Sequence, residues 1–178
     1  MKKMFFSLSA TAFFIVASIV PVRAQSDVVD VAMGSPDHSK LVEAIKTADL
    51  VNTFKLAGPY TVFAPTNAAF EKISEAELKK LMKNKAMLAK TLKYHVVGGN
   101  WNSVTLMAAI KQNNGSVQLP TVSGGKLTAT VEEGKIKLTD ENGNSAFVIN
   151  ADIAASNGMI HVVDGVVYPL VPAITKKD

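Results

Sequence analysis

The spacing of apolar positions along this chain changes character once, near its middle. Between Ser39 and Lys55, the residues Leu41, Val42, Ile45, Ala48, Leu50, Val51 and Phe54 recur at three- and four-residue steps, which predicts helix. Ahead of it, Asp27 to Met33 is a short apolar segment that fits a helix turn or an edge strand, and Gly34, Ser35 and Pro36 break it. Gly58-Pro59 is a turn signal, and Tyr60 to Phe63, aromatic and β-branched, reads as a short, well-buried strand. Pro65 stops that strand, and Thr66 or Asn67 caps a helix entered by Ala68, Ala69 and Phe70. Ser74 with Glu77 fits a capping box, and Ile73 with Leu78 a hydrophobic staple, so a helix starts near Glu75 with Leu78, Leu81 and Met82 inward. Asn84 caps another, whose buried side is Met87, Leu88, Thr91 and Leu92. It runs into Tyr94 to Val97, which has strand character, and Gly98-Gly99 closes the unit.

After Trp101 the period shortens. Ser103 to Lys111 fits a short helix or a loop, and Asn113 to Gly115 a turn. Leu127 to Val131 and Lys135 to Thr139 alternate around Glu132-Glu133-Gly134, the pattern of a hairpin. Glu141 to Ser145 is a second turn, Ala146 to Ile149 a strand, and Met159 to Tyr168 the last strand, with Asp164-Gly165 a bulge or bend. Ser156 to Gly158 reads as a tight turn in which Asn157 or Gly158 takes a positive φ. Helices fill the first half and strands the second. That order predicts an α+β domain with an antiparallel, sandwich-like sheet.

The first residues are set apart from this pattern. Lys2-Lys3, the apolar run from Met4 to Val22 and the small residues Val22 and Ala24 read as a signal peptide, residues 1–24, cut after Ala24. The expected domain is 25–172, with a polar tail at 173–178, no stable membrane insertion after cleavage, and a secreted location: extracellular, cell surface or periplasm. Lys2, Lys3 and Arg23 leave with the leader, so 16 of the 19 basic residues remain against 15 acidic ones. A near-neutral chain whose remaining bases are all lysine argues against nucleic acid as a partner. There is no cysteine, hence no disulfide and no thiolate metal site.

Candidate chemistry is sparse. His38, His95 and His161 lack the close spacing of a zinc site, and His95 and His161 lie in apolar runs, where a buried, hydrogen-bonded imidazole is expected. Ser123-Gly124-Gly125 is not a nucleophile elbow, and no glycine pair continues into a phosphate loop. Asn114-Gly115-Ser116 fits a glycosylation sequon and equally a turn. The chain is therefore read as no enzyme, with no cofactor and no metal. Six lysines, Lys79, Lys80, Lys83, Lys85, Lys90 and Lys93, follow one another without an intervening acid. They are read as a solvated helix face, with an anionic surface or polymer as the functional alternative.

Three stretches, in order, resemble the fasciclin domain family: Gly58 to Phe70 (GPYTVFAPTNAAF), Leu92 to Val97 (LKYHVV), and Ile149 to Pro169 (INADIAASNGMIHVVDGVVYP). The resemblance implies a wedge-shaped β-sandwich with helices along one side, and a secreted adhesion or surface-interaction module. Its partners would be a cell-surface or extracellular-matrix protein or a polysaccharide. It implies that Tyr94-His95 and Asp152-Ile153 are candidate contacts, since in animal members these pairs are linked to integrin binding. Lys79, Lys80, Lys83 and Lys90 are the candidate basic surface. Thr61, Phe63, Thr66, Asn157, Gly158, His161 and Asp164 are read as structural. The short, cysteine-free chain is read as bacterial. A carrier role, with a pigment or lipid held between helices and sheet, is the alternative.

Overall fold

A computed structural model describes residues 26–56 and 58–170. The expected leader and C-terminal tail lie outside the described residues. Helices come first: α1 (Val28–Met33), a 3-10 turn at Pro36–His38, α2 (Ser39–Thr47) and α3 (Val51–Leu56). Strand β1 (Tyr60–Pro65) follows, then α4 (Asn67–Glu71), α5 (Glu75–Lys83), α6 (Lys85–Tyr94), β2 (Val96–Gly98) and α7 (Ser103–Gln112). The remainder is β3 (Ser116–Pro120), β4 (Lys126–Glu132), β5 (Lys135–Thr139), β6 (Ser145–Ala155) and β7 (Gly158–Val163).

Local chemistry explains most of these boundaries. The Asp27 carboxylate accepts from the Val29 and Asp30 amides, which makes the segment after it a helix rather than an edge strand. The Thr66, Ser74, Asn84 and Asn102 side chains each cap the helix that follows. The Ser74 hydroxyl accepts from the Glu77 amide and donates to the Glu77 carboxylate, so one half of the capping box forms and the carboxylate engages the Ser74 hydroxyl in place of its amide. The long helix expected over Ser39–Lys55 is two helices, because Asp49 sits at φ 59° between them. Left-handed backbone cannot continue a right-handed helix. Tyr94-His95 ends α6 instead of opening a strand; only from Val96 does the chain pair with β1.

The sheet has seven strands in the order β2-β1-β7-β6-β5-β4-β3. Every pairing is antiparallel except β1 with β7, which run parallel with Tyr60 opposite Gly158 and Pro65 opposite Val163. The expected antiparallel, sandwich-like arrangement therefore gives way to one mixed sheet. Val97 bridges Thr121, and the Val122 amide donates to the Val96 carbonyl, so the two ends of the sheet meet and the sheet is nearly a barrel. Strand β6 bends through two register shifts, pairing with β5 at one end and β7 at the other.

Two apolar cores lie on either side of β1 and β7. One joins α1–α6 to the sheet through Val29, Leu41, Phe54, Phe70, Leu88 and Ile160. The other fills the curl of the sheet with Phe63, Leu119, Leu127, Leu138 and Val163. Strands in the parallel pair are thus buried on both faces, as parallel strands usually are. Helix α7 does not join the helical side. Its Leu106 and Ile110, one turn apart on a single stripe, pack into the second core, so the expectation of helices along one side holds only for the other six.

The final strand is shorter than its pattern suggests. It ends at Val163, and Val166 and Val167 are buried without a ladder partner. Asp164 makes the bend: its carboxylate accepts from the Phe147 amide at 2.7 Å and from Lys72 at 3.2 Å. Neither Asn157 nor Gly158 adopts the positive φ expected of that turn. The Asn157 side chain instead accepts from the Val28 amide and donates to the Phe54 carbonyl, which ties the helical segment to the turn.

Candidate functional site

Two polar clusters and one basic cleft collect many, though not all, of the residues singled out in the sequence; Lys90, Thr66, Asn157, Gly158 and Asp164 lie outside them. The first cluster forms at the C-terminus of α6. Tyr94 is fully buried; its hydroxyl donates to the Lys126 carbonyl and accepts from the Glu141 amide. Burial pushes its pKa up to about 12. His95, 3% exposed, has Nδ1 at 2.8 Å from the Thr91 carbonyl, so Nδ1 carries the proton and donates. Its Nε2 is then free to accept from the Val167 amide at 3.2 Å. Burial pushes the imidazole down to about 4, against the opposing pull of the Thr91 bond and the nearby Asp140.

Asp140 completes this cluster, and the sequence reading passed over it. Its buried carboxylate accepts from the Asn142 and Asn144 amides, the Asn144 side chain and the Tyr168 amide, all at 2.8–2.9 Å. The available signal was its place at the head of the Asp-Glu-Asn-Gly-Asn turn, where an aspartate organises its own loop. Together His95 and Asp140 hold the amides of Val167 and Tyr168, so the stretch after β7 is bound by side chains instead of a strand neighbour. A partner docking on the folded surface does not reach the rings of Tyr94 and His95.

The second cluster sits where the two long motifs meet. Asp152 lies in the irregular part of β6 at φ 63°. Its carboxylate accepts from both the amide and hydroxyl of Ser103, in the first turn of α7. Partial burial works to raise its pKa, but the Ser103 hydrogen bonds outweigh that and hold it below the usual value. The Asp152 amide donates to Nδ1 of the fully buried His161, whose Nε2 donates to the Trp101 carbonyl at 2.7 Å. Phe63 stacks on His161 with centroids 5.6 Å apart. Thr61 donates to the Gly99 carbonyl and accepts from the Trp101 amide. Ile153 is half-buried against the helical core.

This geometry makes Asp152 a brace for α7. Asp152→Ala is expected to lower stability by about 2 kcal/mol, from the lost N-terminal acceptor and from alanine's discomfort at positive φ. Asp152→Gly relieves the second term only and should lose about half as much. Urea denaturation midpoints of the two variants check the difference.

The third feature is basic. Lys79, Lys80, Lys83 and Lys85 surround a shallow cleft of about 580 Å³ at the α5–α6 junction. Lys90 is exposed on α6 outside its lining. A neighbouring groove of about 590 Å³ runs between α4–α6 and the segment around Val166 and Tyr168, sharing Lys80 and Asn84 with the cleft. By contrast, the apolar void between helices and sheet, beside His95, holds about 30 Å³. That is room for about one water. Among the described residues no three His, Asp or Glu side chains gather to hold a metal ion, and no helix is long and apolar enough to cross a membrane.

A family model for the fasciclin domain matches residues 36–169. The chain belongs to the fasciclin domain family. A Synechocystis protein is 42% identical to it over 144 residues, covering 80% of this chain and 73% of that protein. The pig transforming growth factor-beta-induced protein ig-h3 is 36% identical over 142 residues, which are 80% of this chain and 19% of the relative. A fasciclin domain pair from the insect cell adhesion molecule fasciclin I matches with a TM-score of 0.63 and 22% identity, over 82% of this chain. The chain spans about half of that pair, 51%. Its two fasciclin boxes supply β1 and β7, the parallel pair, second and third in the strand order.

Proposed function

We propose that this fasciclin domain is a secreted, non-catalytic module that attaches to a cell surface or extracellular matrix, through a protein or polysaccharide partner. The observation that carries the reading is membership of a family whose fold occurs in an insect cell adhesion molecule. The side chains support it from another direction. His95, His161, Asp140, Asp152 and Asp164, the groups a hydrolase would draw on, are each engaged in hydrogen bonds to backbone that hold the fold. Contact then falls to exposed helix faces and to the surface around Asp152-Ile153, whose first residue is exposed.

Beads coated with the chain, presented to the cells that make it and to their shed matrix, test this. Coated beads should attach above albumin-coated controls, and cells lacking the chain should adhere less. Equal attachment in both comparisons would overturn the reading.

A further inference from the structure

We propose that the α5–α6 cleft binds an acidic polysaccharide, a polymer of sugars bearing carboxylate or sulfate groups. The proposal deepens the surface-interaction reading above and rests on it. Lys79 and Lys83 are four residues apart on α5, and Lys80 and Lys83 three apart, so the helix turns them onto neighbouring positions. Asn84 then ends α5 and caps α6 at once, its side chain accepting from the Met87 amide. That sharp junction brings Lys85 back to the same cleft, which Ala76 and Asn84 complete without a carboxylate in its lining.

The crowding is specific to this place. Four lysines elsewhere are paired, Lys40 with Glu71, Lys55 with Asp27 and Asp30, Lys72 with Asp164 and Lys137 with Glu132, while Lys46, Lys90, Lys93, Lys111, Lys126 and Lys135 make no ion pair among the described residues and do not converge on this cleft. In the cleft Lys79 has Glu75 at 3.5 Å, both largely exposed, a contact worth little. Among the described residues, no carboxylate lies within 4.0 Å of Lys80, Lys83 or Lys85. Like charges at helical spacing repel one another, and an anion laid among them removes that repulsion.

Shape selects the class of anion. Through Lys80 and Asn84 the cleft continues into the neighbouring groove, whose walls carry Lys72, Asn144, Ser145 and Tyr168 over apolar Ile73 and Val166, with Glu77 its one carboxylate. Amide, hydroxyl and phenol groups suit sugar hydroxyls, and the apolar floor suits the C–H faces of a pyranose ring. A ligand reaching from one depression to the other must be extended. A bilayer is flat, and the most exposed large apolar side chains, Val104 and Ile149, lie on α7 and β6, so no apolar anchor accompanies the lysines.

The test uses the chain as its cells produce it, in affinity electrophoresis and calorimetry with polygalacturonate, dextran sulfate and neutral dextran, and with phosphatidylglycerol vesicles. Both acidic polymers should bind, with affinity falling tenfold or more between about 50 and about 300 mM salt as screening lengths shorten. The triple variant Lys80→Gln, Lys83→Gln, Lys85→Gln should bind them at least tenfold more weakly with an unchanged melting temperature. Unchanged binding by the triple variant, equal binding to neutral dextran, or binding to vesicles but not to either polymer would each overturn the proposal. Bead attachment separates this from the broader reading. Beads that attach to cells while the triple variant binds polymer normally sink the polysaccharide site alone; beads that fail to attach sink the adhesion reading.

Discussion

Gly158→Ala is expected to lose about 3 kcal/mol of stability or more, enough to prevent folding in a domain of ordinary margin. Gly158 stands opposite Tyr60 at the start of the parallel pairing of β1 with β7. A methyl group there would overlap the Tyr60 carbonyl oxygen and approach the Tyr60 carbon to 2.9 Å and its nitrogen to 3.0 Å. All three are backbone atoms of a strand held on both sides, by β2 and by β7, so none can swing away. Relief requires β1 and β7 to part, and with them the contact between the two cores. Gly98→Ala is the matched control: the same strand faces it, but nothing lies within 4 Å of its added methyl group, and a change within about 0.5 kcal/mol is expected. Urea unfolding of both variants, with amide exchange of the β1 residues as a local readout, decides the matter. Wild-type stability in Gly158→Ala would show that the strands do not approach this closely.

Acid should weaken the fold through His95 well before the bulk of the carboxylates titrate. Its imidazole is about 4 in the folded chain against 6.5 in the unfolded one. Between those values the unfolded chain binds the extra proton, so stability rises with pH there. The contribution is fully present above about pH 6.5 and is lost progressively as the pH falls toward about 4, by about 3 kcal/mol in all. The cause is plain in the geometry. A proton on Nε2 would point at the Val167 amide, a donor facing a donor, in a site closed to water. His95→Leu should remove this slope while leaving the Thr91 carbonyl and the Val167 amide short of a partner, at a cost of about 2–4 kcal/mol at neutral pH. Denaturation of both proteins across that pH range, taken as a difference, cancels the shared carboxylates. Parallel curves would mean that His95 is not the group responsible.

Much of this chain was legible residue by residue, and the reason is distance along the chain. Ser74 with Glu77, Thr66, and Asn84 act on amides three residues away, so their caps could be read without knowing the fold. The Glu133-Gly134 hairpin likewise rests on two adjacent residues, at φ 50° and 75°. Motif resemblance went further and placed the domain in its family, because three long stretches in fixed order carry the constraints of the fold without spelling out their cause. The hidden parts depend on partners far away in sequence. Gly158 looks like a turn residue until Tyr60 is set against it. Val166 and Val167 look like strand until His95 and Asp140 are seen to take the backbone amides of this stretch. Asp152 reads as a surface contact or a local cap, yet its carboxylate serves a helix 49 positions earlier.

The sequence by itself determined the caps, the hairpin turns, the helical first half and strand-rich second half, and the family. Only the tertiary structure decided that β1 and β7 run parallel, that α7 plugs the curled sheet, that Tyr94 and His95 are buried, and that four lysines share one cleft. Caps and turns are settled by hydrogen bonds within a few residues. Parallel register, burial and charge clustering arise when segments distant in the chain exclude water together, and no short window of sequence contains both partners.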